Sequence, residues 1–235
     1  MNTAPEHVLP RDIEKRSFEI ISAELGDTGF NADEESVLKR VIHTTADFDY
    51  AHNLCFSPGA VQKGLDALGR GIPIITDTKM AWSGINKAAL AQLGAQALCF
   101  MGDADVAEAA RLGGTTRSAA CMDKAARTHP NAVLAIGNAP TALMRLHELV
   151  LSGQMNPALI IGVPVGFVNV VQSKELIMTL GVPYIVAKGR KGGSTVAAAV
   201  CNALVYLSLQ KPASSINRIL PGTKMELSAP RDGEI

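Results

Sequence analysis

Short apolar runs alternate along the chain with longer stretches in which apolar residues recur every three or four positions. Five of the short runs consist almost entirely of apolar side chains. They are Ile72–Thr76, Ala97–Met101, Ala132–Ile136, Ala158–Val163 and Pro183–Ala187. Continuous apolar runs of this length are typical of strands that are buried on both faces of a parallel sheet. We therefore predict five such strands.

The stretches between these runs have helical periodicity. The pair Ser57-Pro58 predicts the start of one helix, because serine is a favoured N-cap and proline is favoured in the first turn, and Gly69 or Gly71 predicts its end. The other predicted helices are Asn86–Gly94, Thr115–Thr128, Pro140–Ser152, Gln172–Gly181 and Ser194–Gln210. Strands that alternate with helices predict a doubly wound α/β sheet with helices on both faces.

Two more helices precede this alternating core. The first is predicted to run from about Arg11 to Leu25. The second begins at Asn31 or Asp33, has acidic residues in its first turn and ends near Ala46. The predicted fold is therefore an α/β sheet with two extra N-terminal helices.

The length of 235 residues is enough for one α/β domain with a substantial core. Hydrophobic residues make up 47% and charged residues 19%, which is the profile of a compact folded protein. We predict a single domain over residues 1–210. Helical and strand periodicity are lost over residues 211–235, which we predict to be a tail or arm.

Charge and aromatic content exclude several classes of partner. The formal net charge is zero and aromatic residues make up 4%, so the chain has neither the overall field nor the stacking surfaces of a nucleic-acid-binding protein. The N-terminus is polar and lacks the apolar stretch of a signal peptide, and every apolar run is too short to span a bilayer. We expect a cytoplasmic protein that binds neither nucleic acid nor membrane.

Several common catalytic motifs are missing from the sequence. The four cysteines are far apart and form no CxxC pair, which argues against a local zinc site. No G-x-G-x-x-G follows the first strand and no P-loop is present, so nucleotide binding loses its main support. Neither G-x-S-x-G nor H-E-x-x-H occurs, which weakens a hydrolase interpretation.

Polar residues follow the carboxyl ends of the predicted strands, where ligands bind in sheets of this type. The segments are Thr76–Lys79, Gly102-Asp103, Gly137–Pro140, the stretch from Gly166, and Lys188–Ser194. The turn Gly189–Thr195 is positively charged and rich in backbone amides at a helix start, which suits a carboxylate or a phosphate. A solvated basic turn is the alternative interpretation.

His43 is the best candidate for acid–base chemistry. Arg40 precedes it by three residues and therefore shares its helical face, and Asp47 follows it by four. Opposite charges on the two sides of a histidine suit it to give and recover a proton near neutral pH. His52, at the predicted start of a strand, is the main competitor, although a structural role is favoured for it.

The motifs together resemble one family, the precorrin-8X and cobalt-precorrin-8 methylmutases, from about Pro10 to Leu207. One departure is Thr195, where the family often has proline. The segments that carry the resemblance are SFEII (Ser17–Ile21), VIHTTADFDY (Val41–Tyr50), ITDTKM (Ile75–Met80), AIGNAPTAL (Ala135–Leu143), IGVPVGFV (Ile161–Val168), SKELI (Ser173–Ile177) and GRKGGSTVAAAV (Gly189–Val200).

The resemblance implies a flavodoxin-like three-layer α/β/α fold, a homodimer, and no added cofactor. It implies an isomerase of cobalamin biosynthesis that moves a methyl group from C11 to C12 of a tetrapyrrole, with hydrogenobyrinate or cobyrinate as product. By motif, His43 is the proton donor and acceptor, and Ser17, Arg40 and Arg117 contact the substrate. Lys79 and Arg190 are cations of a type that suits the many carboxylates of this substrate.

Two rival functions remain at this point. A tetrapyrrole carrier would have the same basic pocket without an acid–base residue. A nucleotide-binding α/β enzyme would share the fold but would bind phosphates. Whether the natural substrate contains cobalt stays open.

Overall fold

A computed structural model of the chain describes residues 6–211. Six strands form one sheet in the order β1-β6-β5-β4-β2-β3. Their bounds are β1 Leu54–Phe56, β2 Ile74–Thr76, β3 Ala97–Leu98, β4 Val133–Ile136, β5 Leu159–Gly162 and β6 Tyr184–Ala187. β1 is antiparallel to β6, and all other neighbours are parallel. The mostly parallel sheet is the one predicted.

The five parallel strands are those predicted from the apolar runs. Counted alone along the chain, they lie in the order 2-1-3-4-5, which is the flavodoxin-like arrangement. The direction of winding reverses between β2 and β4, and this switch point opens a crevice at the carboxyl edge of the sheet. Any ligand site that follows the rule for this fold lies at that edge.

The helices of the described chain, apart from short 3₁₀ turns, are numbered in chain order. Their bounds are α1 Ile13–Leu25, α2 Ala32–Thr45, α3 Tyr50–Asn53, α4 Ala60–Gly69, α5 Lys79–Gly84, α6 Lys87–Ala91, α7 Ala104–Leu112, α8 Arg117–Thr128, α9 Pro140–Leu151, α10 Val170–Met178 and α11 Ser194–Gln210.

Two apolar clusters lie on the two faces of the sheet. One contains α2, α4 and α11 together with inward side chains of the strands such as Val133 and Ile161. The other contains α8, α9 and α10 together with side chains of opposite orientation such as Leu134 and Ile160. Because alternate residues of one strand enter different clusters, the sheet is the middle layer of an α/β/α sandwich. The two N-terminal helices join the first layer, where α2 packs against α11.

Helix α2 has local signals at both ends. The Asn31 side chain accepts hydrogen bonds from the amides of Asp33 and Glu34, and the Glu34 side chain returns one to the amide of Asn31, which completes a capping box. At the other end, Ala46 adopts a left-handed conformation and stops the helix. These two signals place His43 in the last turn.

Three details of the sequence prediction are wrong. Helix α4 begins at Ala60 with Gly59 as N-cap, because the Ser57 hydroxyl accepts a hydrogen bond from the Tyr184 amide at 2.9 Å instead of capping the helix. His52 lies in α3, and the strand begins at Leu54. The helices α3, α5 and α7 were not predicted. The predicted tail from residue 212 onward lies outside the described residues.

Candidate active site

His43 lies on the exposed surface of α2, against α1. Its imidazole stacks on the Phe18 ring, with 5.2 Å between ring centroids and 22° between planes. The stacking fixes one face of the imidazole and leaves the residue open to solvent. A histidine in this position can exchange a proton with a ligand that approaches from outside.

Arg40 lies one turn before His43 and contacts the same Phe18 ring. Its guanidinium carbon is 4.8 Å from the centroid of Phe18 and 5.0 Å from that of Tyr206, and one guanidinium nitrogen pairs with Glu14. The Glu14 side chain is 58% exposed, so a carboxylate arriving from solvent can compete for the guanidinium. Arg40 is thus oriented by two rings and held by a replaceable carboxylate.

Ser17 precedes Phe18 on α1 and is half-buried. Its hydroxyl donates to the carbonyl of Ile13 at 2.9 Å, which leaves the oxygen lone pairs able to accept. The structure therefore brings Arg40 and His43 together around Phe18, with Ser17 as its immediate neighbour in the chain.

A glycine-rich loop, residues 188–193, connects to the end of α2 through Lys191. Its ammonium donates to Asp47 at 2.7 Å and to Asp49 at 2.6 Å. The hydrogen bond from Lys191 lowers the pKa of Asp47, and both carboxylates raise the pKa of Lys191. Asp47 is therefore engaged with this loop, and the double ion pair ties the loop to the turn that follows His43.

The same loop packs against the segment after β5. The Gly166 amide donates to the carbonyl of Arg190 at 3.1 Å, and the guanidinium of Arg190 lies 5.4 Å from the centroid of the 81% exposed Phe167. Gly192 can only be glycine here, because a Cβ would lie 2.1 Å from the carbonyl oxygen of Val163. Arg190 consequently projects from a closely fitted pair of loops.

Asp77 fills the crevice at the switch point. Its carboxylate accepts hydrogen bonds from the amides of Gly137, Asn138 and Ala139 at 2.9, 2.9 and 2.8 Å. Burial raises the pKa of Asp77, and the three amides oppose that effect. Free amides at the start of a helix can bind a phosphate, and here Asp77 accepts from all three amides of this turn.

Lys79 and Arg117 also lie at the carboxyl edge, each in the first position of a helix. Lys79 is exposed, with its ammonium 5.6 Å from the centroid of Trp82. Arg117 is exposed at the start of α8, after the N-cap Thr116. Within residues 6–211 neither side chain forms a hydrogen bond, ion pair or ring contact with Arg40 or His43.

Three residues that shape this edge were not singled out by the sequence analysis. Phe18 follows Ser17 within a matching motif, and Asp77 comes directly after an apolar run. Lys174 is fully buried although it is a lysine. The sequence could have indicated this burial. Val170 lies four positions before Lys174 and Ile177 lies three positions after it, so all three residues share the apolar face of α10.

The described part of the chain contains no cluster of three or more His, Cys, Asp or Glu side chains arranged to hold a metal ion. A search of the same residues finds no helix with the length and apolar character needed to cross a membrane.

The fold and the site together define a flavodoxin-like α/β protein whose carboxyl edge carries an exposed histidine, arginines and a closely fitted glycine-rich loop. Comparison with known proteins then gives the family. The sequence model of precorrin-8X methylmutase matches residues 12–207, and the chain belongs to this family. Methylmutases are isomerases, and the chain is an isomerase of cobalamin biosynthesis.

Relatives match over most of their length. A cobalt-precorrin-8 methylmutase of Salmonella typhimurium is 46% identical over 205 residues, which cover 84% of this chain and 95% of the relative. A precorrin-8X methylmutase of Pseudomonas aeruginosa is 41% identical over 194 residues, with 82% and 93% covered. The solved structure of a precorrin-8X methylmutase from Thermus thermophilus has a TM-score of 0.79 at 39% identity, with 85% and 98% covered.

Proposed function

We propose that this chain moves a methyl group from C11 to C12 of precorrin-8 or its cobalt form, with His43 as the acid–base residue. The observation that carries the proposal is the exposed His43 stacked on Phe18 beside Arg40, within a segment that resembles the family motif. In this reaction the bond from the methyl group to C11 breaks and the bond to C12 forms. Substrate and product are isomers, so no redox partner or group carrier is consumed.

His43 assists by protonating the tetrapyrrole. A proton on a ring nitrogen withdraws electron density from the conjugated system and eases the departure of the methyl group from its carbon. The histidine recovers the proton once the methyl group has moved. Open access to His43 supports this role, because a planar macrocycle can approach the imidazole from the solvent side.

Carboxylates of the substrate bind to local cations rather than to a charged surface, since the net charge of the chain is zero. Arg40 is oriented by two aromatic rings and Arg190 lies over a third, and both can form two parallel hydrogen bonds with one carboxylate. Ser17, Lys79 and Arg117 complete the proposed set of substrate contacts.

Turnover of the purified chain tests the proposal. Metal-free and cobalt-loaded precorrin-8 are incubated side by side, and the product is followed by absorbance. We expect His43→Ala to fold normally, to bind product and to lose most turnover, whereas the matched variant His52→Ala retains it. Near-normal turnover in His43→Ala would exclude the assigned role, and whichever substrate is converted faster identifies the cobalt state.

A tetrapyrrole carrier is the second candidate, because the cations suit binding whether or not His43 acts. Binding of product without conversion of either substrate by the wild-type chain would favour the carrier. A nucleotide-binding function is disfavoured by Asp77, which occupies the turn that would receive a phosphate.

We also propose that the chain forms a homodimer. The loop after β5 exposes Phe167 and Val168 by 81% and 78%, a surface that a second copy can cover. Light scattering should give twice the 24.7 kDa of one chain, and the single-chain mass at micromolar concentration would contradict this. The cytoplasmic location stays a prediction.

A further inference from the structure

Lys174 is a buried cation that the proposed chemistry does not use. It is the largest fully buried side chain of the described residues, with 1% of its surface exposed. A buried ammonium is unfavourable unless it is paired or hydrogen-bonded. Here it forms no ion pair with any carboxylate of residues 6–211, and its two acceptors are the carbonyls of Gly189 and Lys191, each at 2.8 Å.

These two hydrogen bonds fix the orientation of two peptide groups in the loop 188–193. No peptide bond of the described chain is cis. In a trans peptide the carbonyl and the following N–H point in opposite directions. With the carbonyls of Gly189 and Lys191 turned toward Lys174, the N–H groups of Arg190 and Gly192 must point away from it.

The two N–H groups have no acceptor within the described residues. The hydrogen bonds of the loop use other groups: the amide of Lys188 donates to Asn53, that of Gly193 donates to Val163, and the carbonyl of Arg190 accepts from Gly166. Two N–H groups without an internal acceptor, next to the guanidinium of Arg190, are donors that a carboxylate can use.

We propose that Lys174 is a positioning residue, whose ammonium turns two loop carbonyls inward so that the amides of Arg190 and Gly192 can receive a carboxylate of the tetrapyrrole. The inference rests on the proposed function for the identity of the ligand. The orientation of the loop does not depend on that identity.

Burial shifts the protonation equilibrium of Lys174. Burial lowers the pKa of Lys174 to about 8 from the usual 10.5. An unfolded chain holds this proton more firmly than the folded chain does, so the charged lysine destabilises the fold at neutral pH.

Burial is the cause of this shift, and neighbouring charges do not account for it. The strands β5 and β6, which pack against α10, contain one titratable side chain, Tyr184. The charged or titratable groups on the other elements around Lys174 are Glu175 on α10 itself, Arg145, His147 and Glu148 on α9, and Lys188, Arg190 and Lys191 on the loop. Lys191 pairs with Asp47 and Asp49, and Arg145 pairs with Asp123 and Glu148.

Two variants test the positioning role. Lys174→Met keeps an unbranched side chain that is one atom shorter and removes the charge and the donors. Lys63→Met does the same to an exposed lysine of α4 at the opposite edge. We expect Lys174→Met to bind product about 10- to 100-fold more weakly and to stay folded, because removal of a buried charge offsets the loss of the donor to two carbonyls. Lys63→Met should match the wild type in both.

The pH dependence of the wild type provides a second readout. Above about pH 8, Lys174 loses its charge, and its hydrogen bonds to the carbonyls of Gly189 and Lys191 weaken because they are no longer charge-assisted. Product affinity of the wild type should therefore fall with a midpoint near pH 8, and Lys174→Met should lack this step. In the NMR spectrum of the ligand-free wild type, the amides of Arg190 and Gly192 should shift with the same midpoint.

The NMR titration separates the two proposals, because it needs no substrate. If the amides titrate but product does not bind, the positioning of the loop stands and the proposed function fails. Amides that do not move between pH 7 and pH 9.5 would overturn the positioning role, even where Lys174→Met fails to fold. Unchanged product affinity in a folded Lys174→Met variant would overturn it as well.

Discussion

Arg40 shows how a single residue of this chain combines packing with an exchangeable charge. The two aromatic rings that sandwich its guanidinium hold it in place independently of any ion pair. Glu14 forms an ion pair with the Arg40 guanidinium, and the Glu14 side chain is mostly exposed to solvent. An arginine arranged in this way is ordered before a ligand arrives, and it can exchange one carboxylate for another without a change of rotamer.

Replacing Arg40 should therefore affect binding more than stability. Arg40→Ala should weaken product binding about 10- to 100-fold, since a charge-assisted hydrogen bond typically contributes about 1.5–3 kcal/mol. Loss of its solvent-accessible pair with Glu14 should cost at most about 1 kcal/mol of unfolding free energy. Titration calorimetry with product and urea denaturation measure the two effects.

Glu14→Gln is the matched variant for this pair. It removes the competing carboxylate and leaves Arg40 and its rings in place. We expect product to bind as tightly as in the wild type or more tightly. If Glu14→Gln weakened binding as much as Arg40→Ala does, Glu14 would itself belong to the binding surface. The proposal that a substrate carboxylate replaces Glu14 at Arg40 would then be wrong.

Asp77 is the residue on which the crevice at the switch point depends. Asp77→Asn replaces an acceptor of three amides with a group that is half donor, so that buried N–H groups lose a partner. The expected loss of unfolding free energy is about 1–3 kcal/mol. The control is Asp105→Asn, because Asp105 is 60% exposed and solvent screens its ion pair with Lys124, so that the change should have little effect on stability. Equal losses in the two variants, measured by urea denaturation, would show that Asp77 does not hold the turn.

Among the elements, the central strands were predictable, whereas the exact start of β1 and the helices α3, α5 and α7 were not. Ile160 and Val133 belong to runs that are apolar on both faces, and such runs have few alternatives to a central strand. β1 has only three residues, and its pairing with β6 decides its conformation, as tertiary contacts decide α3 and α5. Local propensity carries little information about segments of that length.

The candidate site was predictable only where its residues share one helix. Arg40 and His43 lie three positions apart on α2, and helical periodicity places them on one face. Their relation to Phe18 depends on how α1 packs on α2, and the link from Lys191 to Asp47 joins segments more than a hundred positions apart. No spacing rule reaches over such distances, so these contacts required the folded structure.

The loop 188–193 should tolerate a side chain at one glycine and not at another. Gly189 and Gly192 both have positive φ, at 73° and 153°, but a Cβ meets nothing within 4 Å at Gly189 and a carbonyl at 2.1 Å at Gly192. Gly189→Ala should cost about 1 kcal/mol, which is the strain of the left-handed conformation.

Gly192→Ala should cost about 3 kcal/mol or more and should abolish product binding, because backbone must move to admit the methyl group. Denaturation and calorimetry on the two variants check this pair. Similar stability of the two alanine variants would mean that the loop does not pack against Val163 as described.

At the scale of the whole molecule, catalysis should require the protein and its substrate alone. The proposed methyl shift is intramolecular and consumes no oxidant, reductant or group carrier. Protein dialysed against a chelator should convert substrate at the rate of untreated protein. Added flavin, nicotinamide or divalent metal should leave that rate unchanged, and activity that appears only on such addition would refute the prediction.

The packing of α2 against α11 has a consequence for synthesis on the ribosome. The helix that carries His43 leaves the exit tunnel early, and the helix against which it is buried follows last among the described elements. At about 5–20 residues per second, the interval is on the order of ten seconds. During translation helix α2 therefore lacks its packing partner α11 while the sheet assembles. A chain that ends before α11 lacks the helix on which α2 packs, and we expect such a chain to have no methylmutase activity.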